Sequence, residues 1–214
     1  MAKPDSPAID ESPGLPSSQS EDHTAVLRQI ARGSFEQFDL FVDRYKVRLV
    51  GFIRSRVTDH HHVEDLAQEV FMRVFRAARD GHYDYKNNAL VPWMFTIANN
   101  CVTDMLRAQS RKPLMLETDA NGMVERAPID NRDTSTPDPS GAAIEAEQER
   151  SIYRLLQQLP DTQREVISLR VFGNLPFATI ATIVGCPMAT VKSRMRYGLK
   201  KIAKHLEQHE RPEA

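Results

Sequence analysis

The residues with the clearest chemical intent lie near the C-terminus, in "GCPMATVKSRMRYGLKK", residues 185–201. From Pro187 to Leu206 the chain carries Lys192, Arg194, Arg196, Lys200, Lys201 and Lys204 and no Asp or Glu. Such a run is either a solvated helix face or a surface built to lie on a polyanion, and charge alone does not choose between them. The residues just before it do. Ile180, Ala181, Ile183 and Val184 form an apolar helical face that stops at Gly185, and Val191 and Met195 begin a second face a few residues later. Ala181 is small where two helices must cross closely, and Gly185 can take the positive φ of a tight turn, so the spacing predicts a helix-turn-helix. Its second helix would present Thr190, Lys192, Ser193, Arg194, Arg196 and Tyr197 outward. A helix fits the major groove, where Arg can bond both acceptors of guanine while Lys and Ser engage phosphate and set the register.

Two further groups upstream could carry recognition. In "VEDLAQEVFMRVF", Asp65, Gln68, Glu69 and Met72 fall on successive turns of one exposed helical side. By composition this stripe is open between plain solvation and docking of a basic partner. "YDYKNNALVPWMFTIANNCVTDMLR" brings aromatics, Asn and Arg to a loop-to-helix junction, a composition suited to stacking and amide recognition of splayed bases in single-stranded DNA, although Trp93 and Phe95 equally suit a core. His60, His61 and His62 are consecutive and therefore point in different directions on a helix, so they do not make a metal pair, which wants a spacing of three or four. Cys101 and Cys186 are far apart and read as small apolar fillers. No Gly-rich phosphate loop, nucleophile elbow or paired carboxylates are visible, so the reading assigns no catalytic residue, no metal and no cofactor.

Helical periodicity must position these groups. Phe35, Phe38, Phe41, Val42, Tyr45, Leu49 and Phe52 recur every three or four residues behind Ser34, an N-cap candidate. A second helix starts near Asp59, with Val63, Leu66, Ala67, Val70, Phe71, Val74, Phe75 and Ala78 on its apolar face, and stops near Gly81; a third runs from about Val91 to Arg111. With a short helix at 23–32 they form a bundle over 23–112. Residues 1–22 are rich in Pro, Ser and acid and read as a disordered tail. Residues 113–142 lose periodicity and carry Glu117, Asp119, Glu125, Asp130, Asp133 and Asp138 against Arg126 and Arg132, an acidic linker too long for a loop within one domain. Residues 143–206 then hold four helices broken at Pro160, Gly173 and Gly185, followed by a tail at 207–214. The fold expected is all-α: two small helical domains, an N-terminal bundle and a C-terminal four-helix helix-turn-helix domain, joined by a flexible acidic linker. No apolar run approaches the roughly 18 residues of a membrane span, and the N-terminus lacks a secretory pattern, so a cytoplasmic location without membrane insertion is expected. The net charge of -1 hides the segregation of sign along the chain.

From about residue 23 to 206 the chain resembles the extracytoplasmic-function sigma factors of bacterial RNA polymerase. "DLAQEVFMRVFRA" is similar to the family's core-polymerase-binding segment, "WMFTIANNCVTDMLR" to its minus-ten recognition helix, and "LPDTQREVISLRVFGNLPFATIATIVGCPMATVKSRMRYGLKKI" to its minus-thirty-five reader. The resemblance implies that Asp65, Gln68 and Glu69 contact the clamp helices of the polymerase's largest subunit, with Leu66 and Phe71 in the core. It implies that the loop from Gly81 to Leu90, with Asn99 and Asn100, captures a flipped non-template base during strand opening. The linker would thread toward the active-site and RNA-exit channels, and Thr190, Lys192, Ser193, Arg194, Arg196 and Tyr197 would read the minus-thirty-five duplex. Tyr197 departs from the Arg common at its position. The partners implied are core RNA polymerase, promoter DNA in duplex and single-stranded form, and an anti-sigma factor; the activity implied is promoter recognition and strand opening for a specific regulon. The residues by themselves leave open a helix-turn-helix regulator that binds duplex DNA unaided.

Overall fold

The computed structural model describes residues 25–84, 89–111 and 141–209. The tail expected at 1–22, linker residues 113–140, loop residues 85–88 and residues 210–214 lie outside them. Every regular element among the described residues is a helix: α1 (25–31), α2 (Phe35–Arg56), α3 (His60–Arg79), α4 (Leu90–Arg111), α5 (Gly141–Gln157), α6 (Asp161–Val171), α7 (Phe177–Val184) and α8 (Met188–His209).

The boundaries follow local chemistry. Helix α1 closes at Gly33, whose φ of 91° lets its own N–H reach Ile30 O at 2.9 Å and the next N–H, of Ser34, reach Gln29 O at 3.1 Å. Asp59 caps α3 by accepting from the His61 N–H at 3.0 Å. At the other end Gly81, φ 71°, turns the chain so that His82 N–H donates to Ala77 O at 2.9 Å. Ser34 occupies the N-cap position of α2 without a side-chain cap bond. Pro92 sits in the first turn of α4, where a missing N–H leaves no helical bond unmade.

Helices α2, α3 and α4 close around a buried aromatic and aliphatic core. The Phe41 ring meets the edge of Phe71 at 5.9 Å and Phe52 meets Phe95 at 5.4 Å, both near-perpendicular. Leu49, Val70, Val74 and Met94 are fully buried among them, each such side chain contributing roughly 1.5–3 kcal/mol of transfer free energy. Phe71 is core as expected and Leu66 packs half-buried against it. Phe35 departs from the expected apolar face. As the first residue of α2 it lies ahead of the core, 69% exposed, and only stacks on Phe75 at 6.0 Å.

Helices α6, α7 and α8 pack on one another around Val166, Leu169, Leu175, Ile180 and Val191, with α5 joining through Leu156 and the turn after it through Leu159. Gly198, in the middle of α8, lets that helix lie close on α6: a Cβ there would stand 2.5 Å from Ile167 Cδ1.

The two helical groups are not held by chain connection alone. Helix α2 packs on α5 and α6 as well as on α3 and α4, α4 touches α7, and one continuous apolar cluster runs from Leu27 to Val191. The two-domain pattern in the sequence placed no contact between these groups.

Candidate nucleic-acid interface

Helix α7 ends at Gly185 in the left-handed conformation (φ 65°, ψ 37°), where its N–H and that of Cys186 both turn back to Ala181 O. Pro187 then opens α8 by accepting from Thr190 N–H at 2.8 Å and Val191 N–H at 3.1 Å. Val191 is fully buried and Met195 packs half-buried on the core, which fixes the rotation of α8. The opposite side therefore faces solvent. Ser193, Arg196 and Tyr197 are exposed, and Thr190, Lys192 and Arg194 are half-exposed. Phe177, Lys192, Ser193, Met195 and Arg196 line a shallow open concavity between α7 and α8.

Two features of this face were invisible to residue patterning. The Arg196 guanidinium sits over the Tyr197 ring, 5.0 Å from its centroid, and reaches Tyr197 Oη at 3.4 Å. Tyr197 thus props its neighbour through a cation–π contact. Lys201 Nζ donates to Gln158 O at 2.9 Å and so ties α8 to the end of α5.

On α3, Asp65 and Gln68 are exposed and Glu69 half-exposed. Glu69 Oε1 accepts from Arg73 Nε at 2.7 Å, a bond that holds the Glu69 carboxyl below the usual carboxylate range. The stripe is therefore partly compensated on its own helix. In the histidine run, His62 Nδ1 lies 2.9 Å from Asp59 Oδ2, at the helix cap. Cys101 is buried and burial pushes its thiol upward, as a filler would behave.

Asn99 and Asn100 part company. Asn100 is exposed. Asn99 is 4% exposed and its Oδ1 accepts from Arg56 Nη1 at 2.6 Å, so in this arrangement it faces α2 rather than solvent. One residue along a helix is a rotation of about 100°, enough to put one amide outside and the other in the seam.

With this geometry, two family models match: Sigma-70 region 2 over residues 41–112 and Sigma-70, region 4 over residues 149–202. The chain is 32% identical over 192 residues to the RNA polymerase sigma-H factor of Pseudomonas aeruginosa, covering 88% of this chain and 95% of that one. It is 30% identical over 185 residues to the ECF RNA polymerase sigma factor SigK of Mycobacterium ulcerans, covering 86% and 94%. The chain belongs to the extracytoplasmic-function sigma factors. Among solved structures it resembles CnrH in complex with the cytosolic domain of CnrY (TM-score 0.60, 20% identity, 86% of this chain and 97% of that one). It also resembles the Bartonella quintana sigma factor RpoE in complex with the anti-sigma factor NepR (TM-score 0.57, 22% identity, 80% and 98%). At these identities the likeness is one of fold.

As a sigma factor the chain is a transcription initiation factor that gives RNA polymerase promoter specificity. Its region 2 match covers most of α2 with α3 and α4, and its region 4 match spans the end of the α5 helix to α8. The seam lies between them and is polar at its centre. Arg48 of α2 donates from Nε to Phe172 O at 2.9 Å and from Nη2 to Gly173 O at 2.6 Å, so it caps the carbonyl end of α6 from another region. The Ser55 and Ser168 hydroxyls lie 2.7 Å apart, both fully buried. Arg56 Nη1 stands 3.3 Å from Glu165 Oε1 while also holding Asn99. Burial pulls Arg56 below the usual guanidinium range and Glu165 pulls it back up. Arg54 lies 4.9 Å over the Tyr153 ring and 3.4 Å from Glu149. Reasoning from residue types missed Arg48, Ser55, Arg56, Glu165 and Ser168; the one available signal was Gly51, a lone glycine in mid-helix, which marks close approach of another backbone or ring.

Proposed function

We propose that this sigma factor uses α3 to bind core polymerase, α8 to read the minus-thirty-five duplex and α4, through Asn99 and Asn100, to hold an unpaired minus-ten base, and that it thereby promotes strand opening at a specific set of promoters. The division of labour follows residues 23–112 and 143–206. Asp65, Gln68 and Glu69 would meet the clamp helices of the polymerase's largest subunit; Thr190, Lys192, Ser193, Arg194, Arg196 and Tyr197 would meet duplex DNA. The observation that carries the reading is α8, where burial of Val191 turns Ser193, Arg196 and Tyr197 to solvent in a stretch with six basic residues and no acidic one between Pro187 and Leu206.

Asn100 is the amide ready to meet a base, and Asn99 becomes available when Arg56 releases it. The chain acts on DNA through the polymerase rather than as an enzyme, and its place of work is the cytoplasm. Bartonella quintana RpoE in complex with an anti-sigma factor supports a similar partner here.

Gel-shift and run-off transcription with and without core polymerase test this. Specific transcripts should need both core enzyme and this chain, and promoter binding without core should be weak. Tight, sequence-specific duplex binding by the chain alone would replace the reading with that of a self-sufficient helix-turn-helix regulator.

A further inference from the structure

We infer that the N-terminal segment "AIDE", residues 8–11, docks back onto its own chain. Ile9 would enter a cavity between α1, α2 and the first turn of α4, and Asp10 and Glu11 would meet Arg44 at its rim. The inference goes beyond the promoter-reading role and does not depend on it.

The cavity is the first observation. Val26 of α1, Leu40, Phe41, Arg44 and Tyr45 of α2, and Leu90 of α4 line about 320 Å³. Its inner side is aromatic and aliphatic: the Phe41 and Tyr45 rings lie 5.0 Å apart, and both they and Leu90 are buried. Leu40, on the outer side, is 56% exposed. A large aliphatic side chain left in water beside an apolar recess gains free energy when a second apolar group covers it.

Arg44 gives the recess a charge. It is exposed, it is the one charged side chain of the lining, and no carboxylate of the described residues pairs with it. Arginines on α3 do find carboxylates, Arg73 at 2.7 Å from Glu69 and Arg79 at 2.8 Å from Asp80. The occupant that fits therefore brings a branched apolar side chain with a carboxylate close behind it.

The beginning of the chain has this pattern and joins the fold at the right place. Residues 1–24 lie outside the described residues and lead into Ala25, next to Val26, which itself lines the cavity. Between Met1 and Ala25 the large apolar side chains are Ile9 and Leu15, and Asp5, Asp10, Glu11, Glu21 and Asp22 face a single Lys3. Ile9 is followed at once by Asp10 and Glu11, whereas Leu15 stands between Gly14 and Pro16. Residues 12–24, at roughly 3.3 Å each when extended, reach much further than a return to Val26 demands. A short tether gives its end an effective concentration in the millimolar range, so a weak contact fills the cavity. A second copy or a separate protein would need the same pattern without that advantage. Because Leu90 opens α4, the docked segment also covers the first turn of that helix.

The test is methyl NMR on the full chain, with Ile, Leu and Val methyls labelled and the Ile9 signals assigned through Ile9→Ala. Nuclear Overhauser cross-peaks from Ile9 to Val26, Leu40 or Leu90 are expected, with relative intensities that hold on dilution. Their absence would overturn the proposal. Cross-peaks that arise between differently labelled copies in a mixed sample would give the cavity to a second copy, and cross-peaks from Leu15 in place of Ile9 would refute the chosen anchor. Ile9→Ser should move the Val26, Leu40 and Leu90 methyl resonances, and Leu15→Ser should leave them in place. Arg44→Glu should weaken the Ile9 cross-peaks by roughly two- to fivefold, the range of an exposed ion pair, and adding Asp10→Arg with Glu11→Arg should restore them. No loss in Arg44→Glu, or no recovery in the triple variant, would overturn the pairing. Neither polymerase nor promoter enters the measurement, so failure here and failure of the sigma reading are told apart.

Discussion

Gly51→Ala separates what α2 does for its own region from what it does for the seam. A Cβ at Gly51 would lie 2.6 Å from Phe172 Cε1 and 2.7 Å from Cδ1, and 3.4 Å from Tyr153 Oη. The Phe172 ring has little room to yield, because it stacks on Tyr153 at 6.3 Å and 8° and its own carbonyl is held by Arg48. Overpacking of this kind costs about 1–3 kcal/mol. In the helix itself the substitution is favourable by roughly 0.5–1 kcal/mol, since alanine loses less backbone entropy than glycine. The helix gain is present whether the regions are closed or apart, whereas the clash exists only when they are closed. The closing equilibrium should therefore shift by the whole clash, roughly 5- to 150-fold. The assay is energy transfer between labels introduced at exposed Lys46 and Thr162 of the free chain, whose high-transfer fraction reports the closed form, read beside helix content by circular dichroism. Helix content should hold or rise while the closed fraction falls. An unchanged closed fraction would refute the reasoning, because it would mean that α2 and Phe172 are not in contact in solution.

Four other outcomes follow from the same structure. Gly198→Ala should lower thermal stability without favouring separation of the regions, because its Cβ would strike Ile167 Cδ1 at 2.5 Å within one region; thermal unfolding of the full chain reads the first effect and energy transfer the second. Arg194→Ala should weaken cognate promoter binding by about 1–3 kcal/mol if it bonds a base bidentately, with core binding intact in a pull-down. Glu69→Arg should abolish co-purification with core enzyme; the lost Arg73 pair and new like-charge neighbour should cost only a few tenths of a kcal/mol in helix stability, which circular dichroism checks. Burial, with Glu149 adding to it, pushes Tyr153 up to about 12, so the neutral phenol is the form the fold favours. Its contribution is fully present below the ordinary tyrosine range near 10 and is lost as pH rises toward 12. Tyrosinate absorbance titration of the chain against Tyr153→Phe should show one phenol ionising late.

Much of the architecture was legible because it repeats locally. The apolar faces of α3 and α8 recur with the helical period, and Gly33, Gly81 and Gly185 stand where left-handed backbone is needed. The outward set on α8 followed from the inward set, since Val191 and Met195 fix its rotation. Where the chain uses polar residues between distant segments, pattern carries no information. Arg48 bonds a carbonyl 124 residues away, and Ser55 meets a hydroxyl 113 residues away. On a helical wheel such residues look solvated. Asn99 shows the consequence: its type suited a base contact, but its neighbour Arg56 claims its amide oxygen. Tyr197 is the opposite case: it stays on the exposed side of α8 with the Arg196 guanidinium over its ring.

The central claim is that this chain confers promoter specificity on RNA polymerase through α8 and α3. It is tested most directly by transcribing fragmented genomic DNA with core polymerase plus or minus the chain and sequencing the transcript starts. The account predicts a discrete set of starts that requires the chain, shares spaced upstream elements, and disappears with either Arg194→Ala or Glu69→Arg. Identical starts with and without the chain, or starts indifferent to both substitutions, would contradict it.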